Sequence, residues 1–186
     1  VHSLARQQQR LNAGLPLVLF TDGRDADWEA AARALPGDAL VVVRARDAQK
    51  RAALADSLMG IVPLLIAGDA DLAVRVRAAG LHLPEARMGE AMDWRARRPH
   101  WIITAAAHSL SAVLRARHVD AVFLSPVFAT ASHPGAPPLS PPRAAFIAAA
   151  ARVPVYALGG VTARSAARLA PSFSGIAAIS SLLKPG

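Results

Sequence analysis

The chain has 186 residues, 53% of them hydrophobic and 18% charged, a balance that excludes a disordered segment and suits one folded domain. No apolar run reaches the ~18 residues needed to cross a bilayer, and the absence of cysteine excludes disulfides, thiolate metal sites and a cysteine nucleophile. The formal net charge is +8, but every basic residue except Lys50 and Lys184 is arginine, the arginines are scattered, and aromatics make up only 5%; an anionic small molecule is therefore expected ahead of nucleic acid.

Residues 1–14 read as a polar N-terminal extension without the apolar centre of a secretory signal, so a cytoplasmic location is expected. From residue 15 to 186, short apolar runs alternate with amphipathic stretches. Leu15–Thr21 reads as a first strand, with a helix over Asp25–Leu35 stopped by Pro36-Gly37. Ala39–Arg44 is a second strand, and Asp47–Met59 a helix with an acidic cap. Pro63–Ala67, Gly80–Leu83, Trp101–Ala105 and Ala121–Ser125 are the third to sixth strands. Helices are expected between them over Asp69–Ala79, Glu85–Arg97 and Ser109–Arg117. Pro126–Pro142 is irregular, because proline fixes φ and removes donors, and Pro141-Pro142 opens a helix to Ala151. Val153–Leu158 is the seventh strand, Thr162 caps a helix through Leu169, Gly175–Ile179 is the eighth strand, and Ser180-Ser181 starts a last helical turn.

Strands apolar on both faces and separated by helices are parallel strands covered on the outside. Eight such pairs predict a single compact (β/α)8 TIM barrel with tight loops, the chain being shorter than the ~250 residues usual for that fold. An open doubly wound sheet is the alternative, disfavoured because the first strand–helix turn has no G-x-G-x-x-G.

In a barrel the chemistry lies just after the strands. The residues there are Arg44 and Arg46, Gly68 and Asp69, His82, His108, then Thr130, Ser132 and His133, then Gly159 and Gly160, and finally Ser180 and Ser181. Gly159-Gly160 lets backbone N–H groups approach a ligand, and Ser180-Ser181 adds hydroxyls and donors at a helix start, so a phosphate is expected between them. His108 is the candidate proton carrier, its bland alternative being a loop residue beside a helix cap. His82, on a buried strand, reads as a core histidine. A zinc site from His82, His108 and His133 lacks a short-spaced pair, so no metal is expected.

Leu19-Phe20-Thr21-Asp22, Val43-Arg44-Ala45-Arg46, Ile66–Ala73, Gly80–Leu83, Ser125–His133, Tyr156–Val161 and Ile179-Ser180-Ser181 give the chain its resemblance. It resembles the thiamine phosphate synthase superfamily, including its TenI-type thiazole tautomerase branch. The resemblance implies a barrel that holds thiazole phosphate at Gly159-Gly160 and Ser180-Ser181. It also implies departures. Synthases have an Asn-Asp pair where this chain has Ala67-Gly68, an Asp where it has Arg87, and a Lys where it has His133. In the family those two carboxylates hold Mg²⁺, so a cofactor enters only under the synthase alternative, or with a shifted ligand set from Asp69, Asp71 or Glu85. The tautomerase branch has His-Ser-Leu after the fifth strand, as in His108-Ser109-Leu110. There the resemblance implies that His108 shifts the proton that makes the thiazole aromatic, with Arg44 or Arg46 gripping the substrate carboxylate. The expected partner is a phosphorylated small molecule, with a homo-oligomer open. A synthase and a non-catalytic binder of thiazole or thiamine phosphate are the alternatives.

Overall fold

The computed structural model describes residues 17–130, 137–169 and 171–179. Eight parallel strands close into a barrel in sequence order. They are β1 (Val18–Phe20), β2 (Leu40–Val43), β3 (Leu64–Ala67), β4 (Gly80–Leu83), β5 (Ile102–Ala107), β6 (Ala121–Leu124), β7 (Val155–Ala157) and β8 (Gly175–Ala178). β8 pairs back onto β1, Val18 opposite Ala177 and Leu19 opposite Ala178. No edge is left unpaired, which is the barrel's answer to the exposed-edge problem.

The two-faced hydrophobicity of the strands now has its reason. Val18, Phe20, Leu40, Val42, Leu65, Phe123, Tyr156 and Ala177 fill the barrel interior as one cluster. Leu19, Val41, Val43, Ile66, Leu81 and Ile103 alternate with them and pack outward against the helices. Period-two alternation therefore feeds two cores at once.

The helices are short: α1 (Trp28–Arg33), α2 (Ala48–Leu58), α3 (Ala70–Arg75), α4 (Ala91–Arg97), α5 (Leu110–Arg115), α6 (Pro141–Ala149) and α7 (Ala163–Ala166). Their starts follow local chemistry. Asp27, Asp47, Asp69 and Ser109 each accept the backbone N–H three residues on, and Thr162 with Ser165 forms a capping box. α6 begins on Pro141, whose missing N–H would be unpaired there anyway.

Every one of these helices is shorter than its expected span, and three of the differences have a local cause. The segment expected as one helix over Glu85–Arg97 is a 3-10 segment, Glu85–Glu90, leading into α4; Gly89 inside it weakens an α-helix by ~1 kcal/mol relative to alanine. α3 stops at Arg75 rather than Ala79, because the chain turns at Arg77, which has φ +51°. α7 stops at Ala166 rather than Leu169; beyond it the Arg168 and Leu169 N–H groups donate only three residues back, to the Ser165 and Ala166 carbonyls, so the end tightens out of α-helical bonding. The helical turn expected at Ser180-Ser181 and the 1–14 extension lie outside the described residues. Among the described residues, no helix is long and apolar enough to cross a membrane.

Candidate active site at the barrel mouth

A cavity of about 380 Å³ opens at the C-terminal ends of the strands. Its wall includes Phe20, Arg44, Gly68, His82, Glu85, His108, Ser125, Thr130, Gly159 and Ile179. So Arg44, His108, Thr130 and Gly159, predicted from sequence, come together there. Arg46 does not line it. It lines an adjoining cavity of about 400 Å³ with Asp22, Asp47 and Lys50, and Arg44 is shared between the two. Ser132, His133, Ser180 and Ser181 lie outside the described residues, although Ile179, the neighbour of Ser180, lines the main cavity.

The diglycine turn is required by packing. Gly159 and Gly160 have φ of +89° and +63°, where a Cβ is strained. A Cβ at Gly159 would also stand 2.8 Å from the Pro126 Cα, and one at Gly160 2.3 Å from the Ala129 oxygen. The turn is therefore pressed against the loop after β6, and Phe128 N–H donates to the Gly159 carbonyl at 3.1 Å. Gly159 faces the cavity; Gly160 is not part of its wall.

His108 directly follows β5 and precedes Ser109, the cap of α5. Its backbone N–H donates to Glu85 Oε2 at 2.8 Å. Its Nδ1 lies 2.8 Å from the Ser125 carbonyl oxygen and 3.3 Å from Ser125 Oγ. A carbonyl only accepts, so Nδ1 carries the proton and Nε2 keeps the lone pair. Neither Glu85 nor Ser125 was assigned this role from sequence. They sit 23 and 17 positions from His108, and the parallel pairing of β5 with β4 and with β6 brings the three loops together.

His82 is both a core residue and part of the cavity floor. Its ring meets Phe20 and Phe123 edge-on, with centroids 5.2 and 5.5 Å away. Nδ1 is 3.0 Å from Thr104 Oγ1. Burial, and then the Arg44 and His108 charges, push its pKa down to about 3, so the ring is neutral at physiological pH.

Arg44 is the electrostatic counterpart. It is half-buried, and desolvation lowers the pKa of its guanidinium; Asp22 opposes that shift and Arg46 adds to it. Asp22 is itself held by Arg24. Among the described residues, no ion pair or hydrogen bond engages the Arg44 guanidinium.

The residues do not fit a Mg²⁺ site at the positions the resemblance gives to carboxylates. Those positions are Gly68 and Arg87, and Arg87 Nη1 donates to the Gly68 carbonyl at 2.8 Å. Asp69 is spent on the α3 cap and on Arg51, at 3.0 Å each. Glu85 is spent on His108. Among the described residues, no three His, Asp or Glu side chains gather as metal ligands.

Comparison with known proteins places this geometry. The TMP-TENI family, described as thiamine monophosphate synthase, matches residues 17–182. A "Thiamine-phosphate synthase" of Chlorobium luteolum is 32% identical over 180 residues, covering 90% of this chain and 85% of that protein. The "Putative thiamine-phosphate synthase 2" of Aquifex aeolicus is 39% identical over 101 residues, which cover 53% of this chain and 54% of that protein's own length. A solved structure, "Thiamine phosphate pyrophosphorylase from Pyrococcus furiosus", superposes with a TM-score of 0.73 over 91% of this chain and 88% of that one; at 24% identity it speaks for the fold. Motif order, closed barrel and matched span agree: the chain belongs to the thiamine monophosphate synthase family.

Proposed function

We propose that this protein binds a phosphorylated thiazole carboxylate at the barrel mouth and moves one proton on it, the reaction of a thiazole tautomerase in thiamine biosynthesis. One observation carries this reading: the cavity that holds a half-buried Arg44, whose guanidinium no carboxylate hydrogen-bonds among the described residues, also holds a histidine whose lone pair is left on Nε2. A desolvated cation without a partner favours an anionic ligand. A fixed tautomer favours proton transfer, because the base needs no reorganisation before it acts.

In this reading Arg44 grips the ligand carboxylate, with Arg46 and Lys50 adding positive potential from the adjoining cavity. The phosphate lies toward the Gly159 turn and Ser180-Ser181. His108 Nε2 takes a proton from one ligand atom and returns it to another. The Ser125 carbonyl, facing Nδ1–H, stabilises the transient imidazolium. His82 stays neutral and shapes the floor beneath the ring. No step requires a metal.

The second reading is thiamine phosphate synthase, the transferase that joins a pyrimidine diphosphate to thiazole phosphate. The relatives' names support it more than they support the first, and Arg44, Arg46 and Lys50 suit a diphosphate. Against it stand Gly68 and Arg87 where metal carboxylates are expected.

The deciding experiment assays both reactions on one preparation and on His108→Ala. Proton transfer by the parent, reduced ~100-fold or more in the variant, supports the first reading. Isomerisation by His108→Ala at the parent rate would remove it.

A further inference from the structure

Arg87 and Gly68 stand on adjacent loops of the mouth, after β4 and β3. Besides the bond from Nη1 to the Gly68 carbonyl, Nε and Nη2 of Arg87 grip the two oxygens of Glu90 at 2.6 and 2.8 Å. The hydrogen bonds between them raise the pKa of Arg87 and lower that of Glu90. The clamp is thus charge-balanced and joins the β3 turn to the 3-10 segment. Gly68 has φ +68°, and a Cβ there would lie 3.8 Å from Arg87 Nη1 and 3.9 Å from the Pro84 ring. A longer side chain at 68 would therefore reach into the place the guanidinium holds. Carboxylates nearby offer no substitute, since Asp69 and Glu85 are engaged as described above.

We propose that the Arg87–Gly68–Glu90 clamp fills the seat a divalent ion would need, and that the cavity takes its anionic ligand without a metal. The second half rests on the reading of Arg44 as the ligand's cation; the first half stands on the clamp alone. A divalent ion brought to this corner would meet a guanidinium at contact distance and no spare carboxylate, whereas Mg²⁺ ordinarily takes one or two carboxylates plus phosphate oxygens. The cationic side of the mouth is instead the β2 side.

The test uses Mn²⁺ as probe, read by the paramagnetic resonance signal of the free ion. Titrated into the full chain, the signal is expected to match that of buffer. Withdrawal of one equivalent per chain at sub-millimolar metal would overturn the clamp. In parallel, calorimetry measures inorganic phosphate binding in chelator and in Mg²⁺. Affinities equal within about twofold are expected, and tightening of about tenfold or more in Mg²⁺ would overturn metal-free binding. Failure of phosphate to bind in either buffer would sink the reading of the cavity as an anion site, while the Mn²⁺ titration would still decide the clamp. Gly68→Asp combined with Arg87→Asp is expected to create a Mn²⁺ site, aspartate being among the residues that tolerate positive φ. A folded double variant that leaves the free signal unchanged would show that the clamp does not occupy a metal seat. If the double variant does not fold, Arg87→Asp alone is read the same way.

Discussion

Two arginines of the same barrel mouth, on loops separated by the one after β3, do opposite work. Arg44, after β2, is half-buried and makes no hydrogen bond or ion pair to a carboxylate among the described residues, Asp22 acting on it only through space, while Arg87, after β4, spends its Nε, Nη1 and Nη2 groups on Glu90 and the Gly68 carbonyl. Composition cannot distinguish them, and neither can net charge. What distinguishes them is whether the protein itself has satisfied the cation. An exposed, satisfied guanidinium adds rigidity at little energetic gain; a desolvated, unsatisfied one costs stability that a ligand can return.

That contrast orders the predictions. The largest effect belongs to the group that the two sides of the mouth serve. His108→Ala should lower the rate of proton transfer ~100- to 10,000-fold, measured by steady-state kinetics, with phosphate affinity nearly unchanged. A loss confined to KM would place His108 in binding only. Next comes Arg44→Ala, for which loss of a charge-assisted contact to the ligand carboxylate predicts binding of the thiazole phosphate carboxylate weaker by ~1.5–3 kcal/mol in calorimetry. The remaining affinity should also depend less on salt.

A third prediction concerns stability. The pKa of His82 is about 3 in the folded chain and ~6.5 when unfolded. Below ~6.5 the unfolded state binds a proton the folded state refuses, so stability falls as pH drops from ~6.5 toward 3, by up to ~1.4 kcal/mol per pH unit. Denaturant titrations across that window should show the slope. His82→Gln should flatten it; an unchanged slope would assign the acid lability to other groups. The smallest effect is expected at Arg87. Its side chain is 42% exposed, so Arg87→Ala should cost ~0.2–1 kcal/mol by thermal unfolding and leave binding of the thiazole phosphate carboxylate intact. A loss in that binding as large as that of Arg44→Ala would erase the distinction between the two arginines.

The barrel was legible because its physics is written locally. Val18, Phe20 and Val42 alternate with Leu19, Val41 and Val43, so both faces must be covered, and Asp47, Asp69 and Ser109 announce their helices. Helix ends were less legible. Arg77 turns with positive φ, and the chain after Ala166 bonds three residues back rather than four, so composition alone overextends both helices. At the site, Arg44, His108, Thr130 and Gly159 could be named because barrel topology puts loop residues at one mouth. The functions of Glu85, Ser125 and Arg87 could not, because each depends on a contact to a neighbouring strand's loop, to His108 or to the Gly68 carbonyl, that lies far off along the chain. His82 was half legible: it is the buried histidine expected, and it is also cavity floor.

The most direct measurement offers the protein a phosphorylated thiazole carboxylate tautomer in chelator. We predict that the ring becomes aromatic, followed by its ultraviolet absorbance, at a rate that added Mg²⁺ does not change and that His108→Ala abolishes. No aromatisation, together with Mg²⁺-dependent formation of thiamine phosphate from the pyrimidine diphosphate and thiazole phosphate, would contradict it.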